Sequence, residues 1–285
     1  MTNNPILEVI NLHELFRLND SSGFILIDAR AGTNAEENYK KEHLKGARYV
    51  DLNRDLATID YNPANGGRHP LPTLEKFSKV LSKLGILPSS HVIVYDDKNG
   101  SNAAARFWWM LRSIEHEKVQ VLNGGLQAAA KAGFPLSSET IAFEETGNYP
   151  IAEWKLATAT IEEVENARIN SKNIVIDVRE KKRFDGLTEP MDLIAGHIPG
   201  AVNVPFSENL DENGFYHSPQ ILKEKYTEVL GNTKAENIIV HCGSGVTACH
   251  TLLALNYAGM EIPKLYVGSW SEWSRNKREM VTKEK

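Results

Sequence analysis

The segment Asn237-Ile-Ile-Val-His-Cys-Gly-Ser-Gly-Val-Thr-Ala-Cys-His250 decides how the fold is read. Ile238, Ile239 and Val240 form a short apolar, β-branched run, the pattern of a buried strand, and the run stops at Cys242. Gly243-Ser244-Gly245 then imposes a turn, and a helix is expected from about Val246–Thr247 to a C-cap at Gly259. Gly243 and Gly245 permit backbone conformations that a Cβ would resist, so successive N–H groups can converge on one concavity. The start of the helix adds its positive end to the same spot. A cysteine in such a cradle is expected to have a lowered pKa and to stand as a thiolate near neutrality. Cys242 is therefore the candidate nucleophile. The competing reading, a small buried cysteine closing a strand, leaves the Gly-Ser-Gly turn without a purpose.

Working outward, the same pattern occurs twice. Leu26-Ile-Asp-Ala-Arg30 returns as Val175-Ile-Asp-Val-Arg179, and His43-Leu-Lys-Gly-Ala-Arg-Tyr-Val50 as His197-Ile-Pro-Gly-Ala-Val-Asn-Val204. Val92-Ile-Val-Tyr-Asp96 returns as Ile238-Ile-Val-His-Cys242, and Val121-Leu-Asn-Gly-Gly-Leu126 as Leu265-Tyr-Val-Gly-Ser-Trp270. Each repeat is displaced by about half of the 285 residues, so the chain reads as a tandem duplication of a domain. In each copy, short Val/Ile-rich runs alternate with helical stretches such as Thr73–Leu84 and Gln220–Leu230. This predicts α/β domains, each with a mostly parallel sheet flanked by helices. The polar, Pro- and Gly-punctuated segment Phe134–Trp154 is the expected connection, which divides the chain into residues 1–145 and 146–285. The copies differ at the strand end, where the first has Asp96 followed by Asp97-Lys98-Asn99-Gly100. A carboxylate there cannot act as a thiolate, so the first copy is expected to be catalytically inactive.

Composition bounds the rest. Hydrophobic content is 41% and charged content 24%, and 32 basic residues against 37 acidic ones leave a net charge of −5. That balance is ordinary for a globular protein and offers no basic surplus for nucleic acid or an anionic membrane. No apolar run approaches a membrane span. Met1-Thr-Asn-Asn-Pro-Ile-Leu-Glu8 lacks the pattern of a signal peptide. Two cysteines, Cys242 and Cys249, are too few for a disulfide framework, so a reducing, cytoplasmic setting is expected. No metal site, phosphate loop or dinucleotide fingerprint is evident, and no cofactor is expected. A Cys-dependent phosphatase would need an Arg six residues after the cysteine, where this chain has Ala248.

The tandem of Asp-x-Arg, His-[Ile/Leu]-x-Gly-Ala and Gly-Ser-Trp-x-Glu-Trp resembles the rhodanese superfamily in its two-domain sulfurtransferase form. The loop Cys242–Ala248 is similar to that of 3-mercaptopyruvate sulfurtransferases; thiosulfate sulfurtransferases usually have an Arg and a Lys where this chain has Gly243 and Ser244. The resemblance implies sulfur transfer through a Cys242 persulfide, from 3-mercaptopyruvate or alternatively thiosulfate, to a thiol, thioredoxin or cyanide. A non-enzymatic rhodanese-like binding module is disfavoured because the loop keeps its cysteine and both glycines. The implied catalytic set is Cys242, Ser244 and His69. The implied donor-binding set is Arg183, whose planar fork suits a carboxylate, together with Gly243, Gly245, Val246 and Thr247. Two positions depart from the family pattern. Met191 stands where a second substrate Arg is usual, and Asn53 where an acidic partner of His69 is usual, with Asp51 or Asp55 as possible substitutes. Asp28–Arg30, Asp177–Arg179, His43 and His197 recur in both copies, which points to folding rather than catalysis. Cys249 is expected in the core, and Trp270 and Trp273 packed beside the site.

Overall fold

The computed structural model describes residues 4–8, 11, 23–59, 62–140 and 146–282. The expected boundary at about 145 lies outside the described residues. Contacts group the chain into two compact units. One contains Met1–Thr58, Pro72–Lys155 and Glu212–Phe215; the other contains Ile59–Leu71, Leu156–Asp211 and Tyr216–Lys285. A short segment of each half of the sequence thus belongs to the unit built mainly from the other half.

The first unit is a parallel five-stranded sheet formed by β1 (Ile6–Leu7), β2 (Ile25–Asp28), β4 (Arg48–Tyr49), β5 (Val92–Tyr95) and β6 (Val119–Leu122), in the order β1-β6-β5-β2-β4. An antiparallel pair, β3 (His43–Leu44) with β7 (Leu136–Ser137), lies apart from it. The second unit has β8 (Ile174–Asp177), β9 (Val202–Asn203), β10 (Ile238–His241) and β11 (Lys264–Leu265), all parallel, in the order β11-β10-β8-β9. This is the β6-β5-β2-β4 order again. The place of β1 is taken by Thr158, which bridges to Leu265 in parallel. The central strands β5 and β10 are buried along their whole length, as a strand covered by helices on both faces must be.

The helices begin where local chemistry says they should. Leu74–Lys83 is capped by the Thr73 hydroxyl, which accepts from the Lys76 N–H, and Pro219–Leu230 is capped by Ser218 with Pro at its first position. The repeated Asp-x-Arg elements are buried forks. Asp28 takes Arg30 Nη2 at 2.7 Å and Asp177 takes Arg179 Nη2 at 2.6 Å. Arg30 also donates to the Glu42 carbonyl and Arg179 to the Gly196 carbonyl, so each fork ties the end of its strand to the loop that carries the repeated histidine. Those histidines behave alike as well. His43 bonds the Tyr39 carbonyl and stacks on the Tyr39 ring, and His197 bonds the Phe184 carbonyl and stacks on Phe184. Both are bracing elements in the repeat.

Candidate active site

Cys242 follows β10 directly and is buried. Its N–H donates to Ser269 Oγ at 3.2 Å, its carbonyl accepts from the Trp270 N–H at 3.0 Å, and the Gly243 carbonyl accepts from the Ser271 N–H at 2.9 Å. All three partners come from the short helix Ser269–Trp273, which therefore sets the position of the loop. None of these bonds uses the sulfur.

Gly245 has φ +72°, and a Cβ there would sit 2.4 Å from the Val267 carbonyl oxygen. The turn needs glycine for its backbone angle and for its close approach to the next strand connection. The helix then runs Ala248–Tyr257, starting slightly later than the sequence suggests, with Val246 and Thr247 completing the turn. Their carbonyls accept from the Cys249 and His250 N–H groups. Thr247, half-buried, makes no side-chain cap bond. The helix ends in a Schellman arrangement: Met260 N–H bonds Leu255 O, Gly259 N–H bonds Asn256 O, and Gly259 has φ +73°. Cys249 is fully buried and donates its thiol to the Gly245 carbonyl, as expected of a core residue.

His69 and Ser244, 175 positions apart, are brought together: His69 Nδ1 lies 2.8 Å from Ser244 Oγ. His69 belongs to the Ile59–Leu71 segment, so it lies in the same unit as the cysteine loop. Asn53, Asp51 and Asp55 belong to the other unit. There Asp51 accepts from the Asn53 and Arg54 N–H groups, and Asp55 pairs with Arg54.

Arg183 closes the one-turn helix Lys181–Phe184 and is gripped by Glu189, with Nη2–Oε1 at 2.7 Å and Nε–Oε2 at 3.2 Å. Glu189 also takes Arg179 Nη1 at 3.2 Å and the N–H groups of Met191 and Asp192. Burial pushes the Glu189 carboxyl up, but the Arg183 guanidinium and those N–H groups outweigh it and hold it below the usual range. Met191 itself is largely exposed. Sequence reasoning missed the next residue, Asp192, whose side chain is fully buried and pairs with Arg68, Arg183 and Arg275. It also missed Arg68 and the serines of Ser269–Trp273. An isolated acid beside an exposed Met carries no sequence signal of such a role.

The first copy offers a comparison at the position equivalent to Cys242. Counting from Asp96 as from Cys242, the Asp96 carboxylate accepts the N–H groups of Lys98 (2.9 Å), Gly100 (2.8 Å), Asn102 (3.0 Å) and Ala104 (3.2 Å). The first copy thus surrounds this side chain with backbone N–H groups. Burial still pushes the Asp96 carboxyl up, since those four bonds only partly offset the loss of water.

Behind the cysteine, His241 is fully buried, with Nε2 3.8 Å from Asp177 Oδ2. Burial pulls its pKa down despite that carboxylate, with Arg179 working in the same direction, and burial does the same to His116 in the other unit. Both therefore keep their neutral form to lower pH than their unfolded counterparts, which titrate near 6.5. Below that pH the unfolded chain binds more protons, so stability falls as pH drops. The expected loss is up to about 1.4 kcal/mol per pH unit for each histidine. Denaturant midpoints measured between pH 7.5 and 5.5 check this, and a flat profile would contradict it.

Fold and site define a duplicated α/β domain in which one copy ends its central strand in a buried cysteine followed by a glycine-bordered turn, and the other has at the equivalent position an aspartate surrounded by backbone N–H groups. The comparisons agree with that class. A family model described as the rhodanese-like domain matches residues 11–132 and 160–276. A probable 3-mercaptopyruvate sulfurtransferase of Pseudomonas aeruginosa is 36% identical over 247 residues, 85% of each chain. The thiosulfate sulfurtransferase of Gallus gallus is 34% identical over 247 residues, covering 84% of this chain and 81% of that one. Among solved structures, SseA of Escherichia coli, described with the 3-mercaptopyruvate sulfotransferases, superposes with TM-score 0.78 at 32% identity over 94% of this chain and 100% of its own. The chain belongs to the rhodanese family, with two rhodanese-like domains in tandem. It is an enzyme of the sulfurtransferase class. Among the described residues no helix is long and apolar enough to cross a membrane, and no group of three or more His, Cys, Asp or Glu residues is placed to hold a metal ion.

Proposed function

We propose that the enzyme takes sulfur from 3-mercaptopyruvate onto Cys242 as a persulfide and passes it to a thiol, thioredoxin or cyanide. The observation that carries this reading is the pair of guanidiniums over Gly243, the residue bonded to Cys242. The space where a Gly243 side chain would stand lies 3.1 Å from Arg68 Nη2 and 3.3 Å from Arg183 Nη2. A donor with a carboxylate two carbons from its sulfur meets cations at one end and the nucleophile at the other.

In the first half-reaction the Cys242 thiolate attacks the donor sulfur, and the carbon–sulfur bond breaks. Its electron pair goes to carbon as the enolate of pyruvate, and the proton of the donor thiol ends on that carbon. Cysteine thiol plus mercaptopyruvate thus becomes cysteine persulfide plus pyruvate. Ser244, hydrogen-bonded to His69, supplies a hydroxyl that can pass a proton to the enolate. The persulfide is held as an anion by the nest, whose chemistry is supported by the way Asp96 occupies the equivalent nest in the first copy. In the second half-reaction the acceptor attacks the outer sulfur and releases the thiolate, a ping-pong cycle. Thiosulfate is the alternative donor, since its sulfonate also suits two guanidiniums and the same attack expels sulfite. A thiosulfate sulfurtransferase among the relatives keeps that reading in view.

The test is intact mass after brief incubation with either donor and desalting. A gain of one sulfur, about 32 Da, that dithiothreitol removes is expected, faster with 3-mercaptopyruvate. No gain with either donor overturns the proposal.

A further inference from the structure

We infer that Arg68 is a second anion anchor of the site, held over the cysteine loop by Asp192. The inference rests on the proposed donor reading and deepens it.

The three atoms nearest to a hypothetical Gly243 side chain are all guanidinium nitrogens: Arg68 Nη2 at 3.1 Å, Arg183 Nη2 at 3.3 Å and Arg183 Nη1 at 3.5 Å. Two like charges so close repel each other unless counter-charges intervene. Asp192 supplies one. Its Oδ1 lies 3.2 Å from Arg68 Nε and 2.9 Å from Arg275 Nη1, and its Oδ2 lies 3.4 Å from Arg68 Nη2 and 3.6 Å from Arg183 Nη2. Glu189 supplies the other, binding Arg183 and Arg179. Within these pairs and the Asp177–Arg179 fork, four guanidiniums (Arg68, Arg179, Arg183, Arg275) meet three carboxylates (Asp177, Glu189, Asp192). The one guanidinium in excess offsets negative charge that the Cys242 thiolate and an incoming anion bring to the site. A guanidinium has five N–H donors, and Asp192 engages Arg68 through two nitrogens, so donors remain for a solute. Both Arg68 and Arg183 side chains are about one-fifth exposed, so a solute can reach them.

The loop that delivers Arg68 is itself placed by Ser269–Trp273, the helix that holds Cys242. The Gly66 N–H donates to Glu272 at 2.9 Å and the Arg68 N–H to Ser271 Oγ at 3.0 Å. Gly67, at φ +83°, lets the loop approach so closely that a Cβ would stand 2.4 Å from the Gly268 carbonyl. One short helix therefore registers the nucleophile and the second anchor against each other. Arg68 fills the cationic role that exposed Met191 cannot.

A brace for the loop and an anchor for the donor give different kinetics. Arg68→Ala is expected to raise KM for 3-mercaptopyruvate on the order of 10- to 100-fold while kcat changes less than about threefold. Arg68→Lys, which keeps the charge and loses the fork, should recover part of that loss. Discharge of preformed persulfide by neutral dithiothreitol should stay at the wild-type rate. Affinity for pyruvate, a carboxylate with no sulfur to give, should fall in parallel when read by calorimetry. Thiosulfate and sulfite run in the same way tell whether the pair serves a carboxylate or a sulfonate. An unchanged KM and pyruvate affinity overturns the inference. So does a loss in which donor loading and dithiothreitol discharge fall together in both variants, which marks a brace. Pyruvate binding is read without turnover, so a wild type that loads no persulfide defeats the proposed function and leaves this test standing.

Discussion

Cys242→Ser is expected to lower turnover with either donor on the order of 10⁴-fold or more while leaving the fold intact. A serine hydroxyl is almost wholly protonated at neutral pH, is a harder nucleophile, and would have to form a weak oxygen–sulfur bond. The replacement is close in size, and the position is held by backbone bonds to Ser269, Trp270 and, through Gly243, Ser271, none of which uses the sulfur. Stability should therefore move by less than about 1.5 kcal/mol. Turnover and thermal midpoint measured on the same preparation separate the two effects. Residual activity above about one per cent would mean that sulfur does not travel on this cysteine.

Gly245→Ala should cost both stability and activity. At φ +72° an L-residue is strained by about 1–2 kcal/mol. The added methyl also meets Val267 backbone at 2.4 Å (O) and 2.9 Å (Cα), atoms that cannot rotate away. Overpacking of that kind adds about 1–3 kcal/mol. Relief of the clash has to move the turn that presents Cys242, and a displacement near 1 Å costs on the order of 100-fold in rate. Gly243→Ala is the contrasting control. Its methyl would meet the flexible ends of Arg68 and Arg183, so the fold should tolerate it and the penalty should fall on donor KM. Denaturant melts and kinetics of both variants check the contrast, and equal stability for the two would refute this account of the loop. One glycine serves the backbone and the other keeps space clear for the donor.

The amino-acid sequence by itself determined the duplication, the parallel α/β architecture, the aspartate that stands in place of the cysteine in the first copy and the cysteine turn. Each rests on short-range physics: β-branched runs that must be buried, glycines where a turn demands them, caps such as Thr73 and Ser218, and motifs repeated at half the chain length. His69 was legible as a candidate through resemblance, but its partner was not. Asn53, Asp51 and Asp55 lie near His69 in sequence, yet the bond to Ser244 spans 175 positions and depends on the Ile59–Leu71 segment joining the second unit. The charge network was hidden for the same reason. Asp192 looks like any loop acid beside an exposed Met, and Arg68 like any surface Arg. Only tertiary structure buries that carboxylate among three guanidiniums and brings two of them, Arg68 and Arg183, to the residue bonded to Cys242. Ion pairing at long range leaves no periodicity in a chain, because it depends on where loops end and not on how they begin.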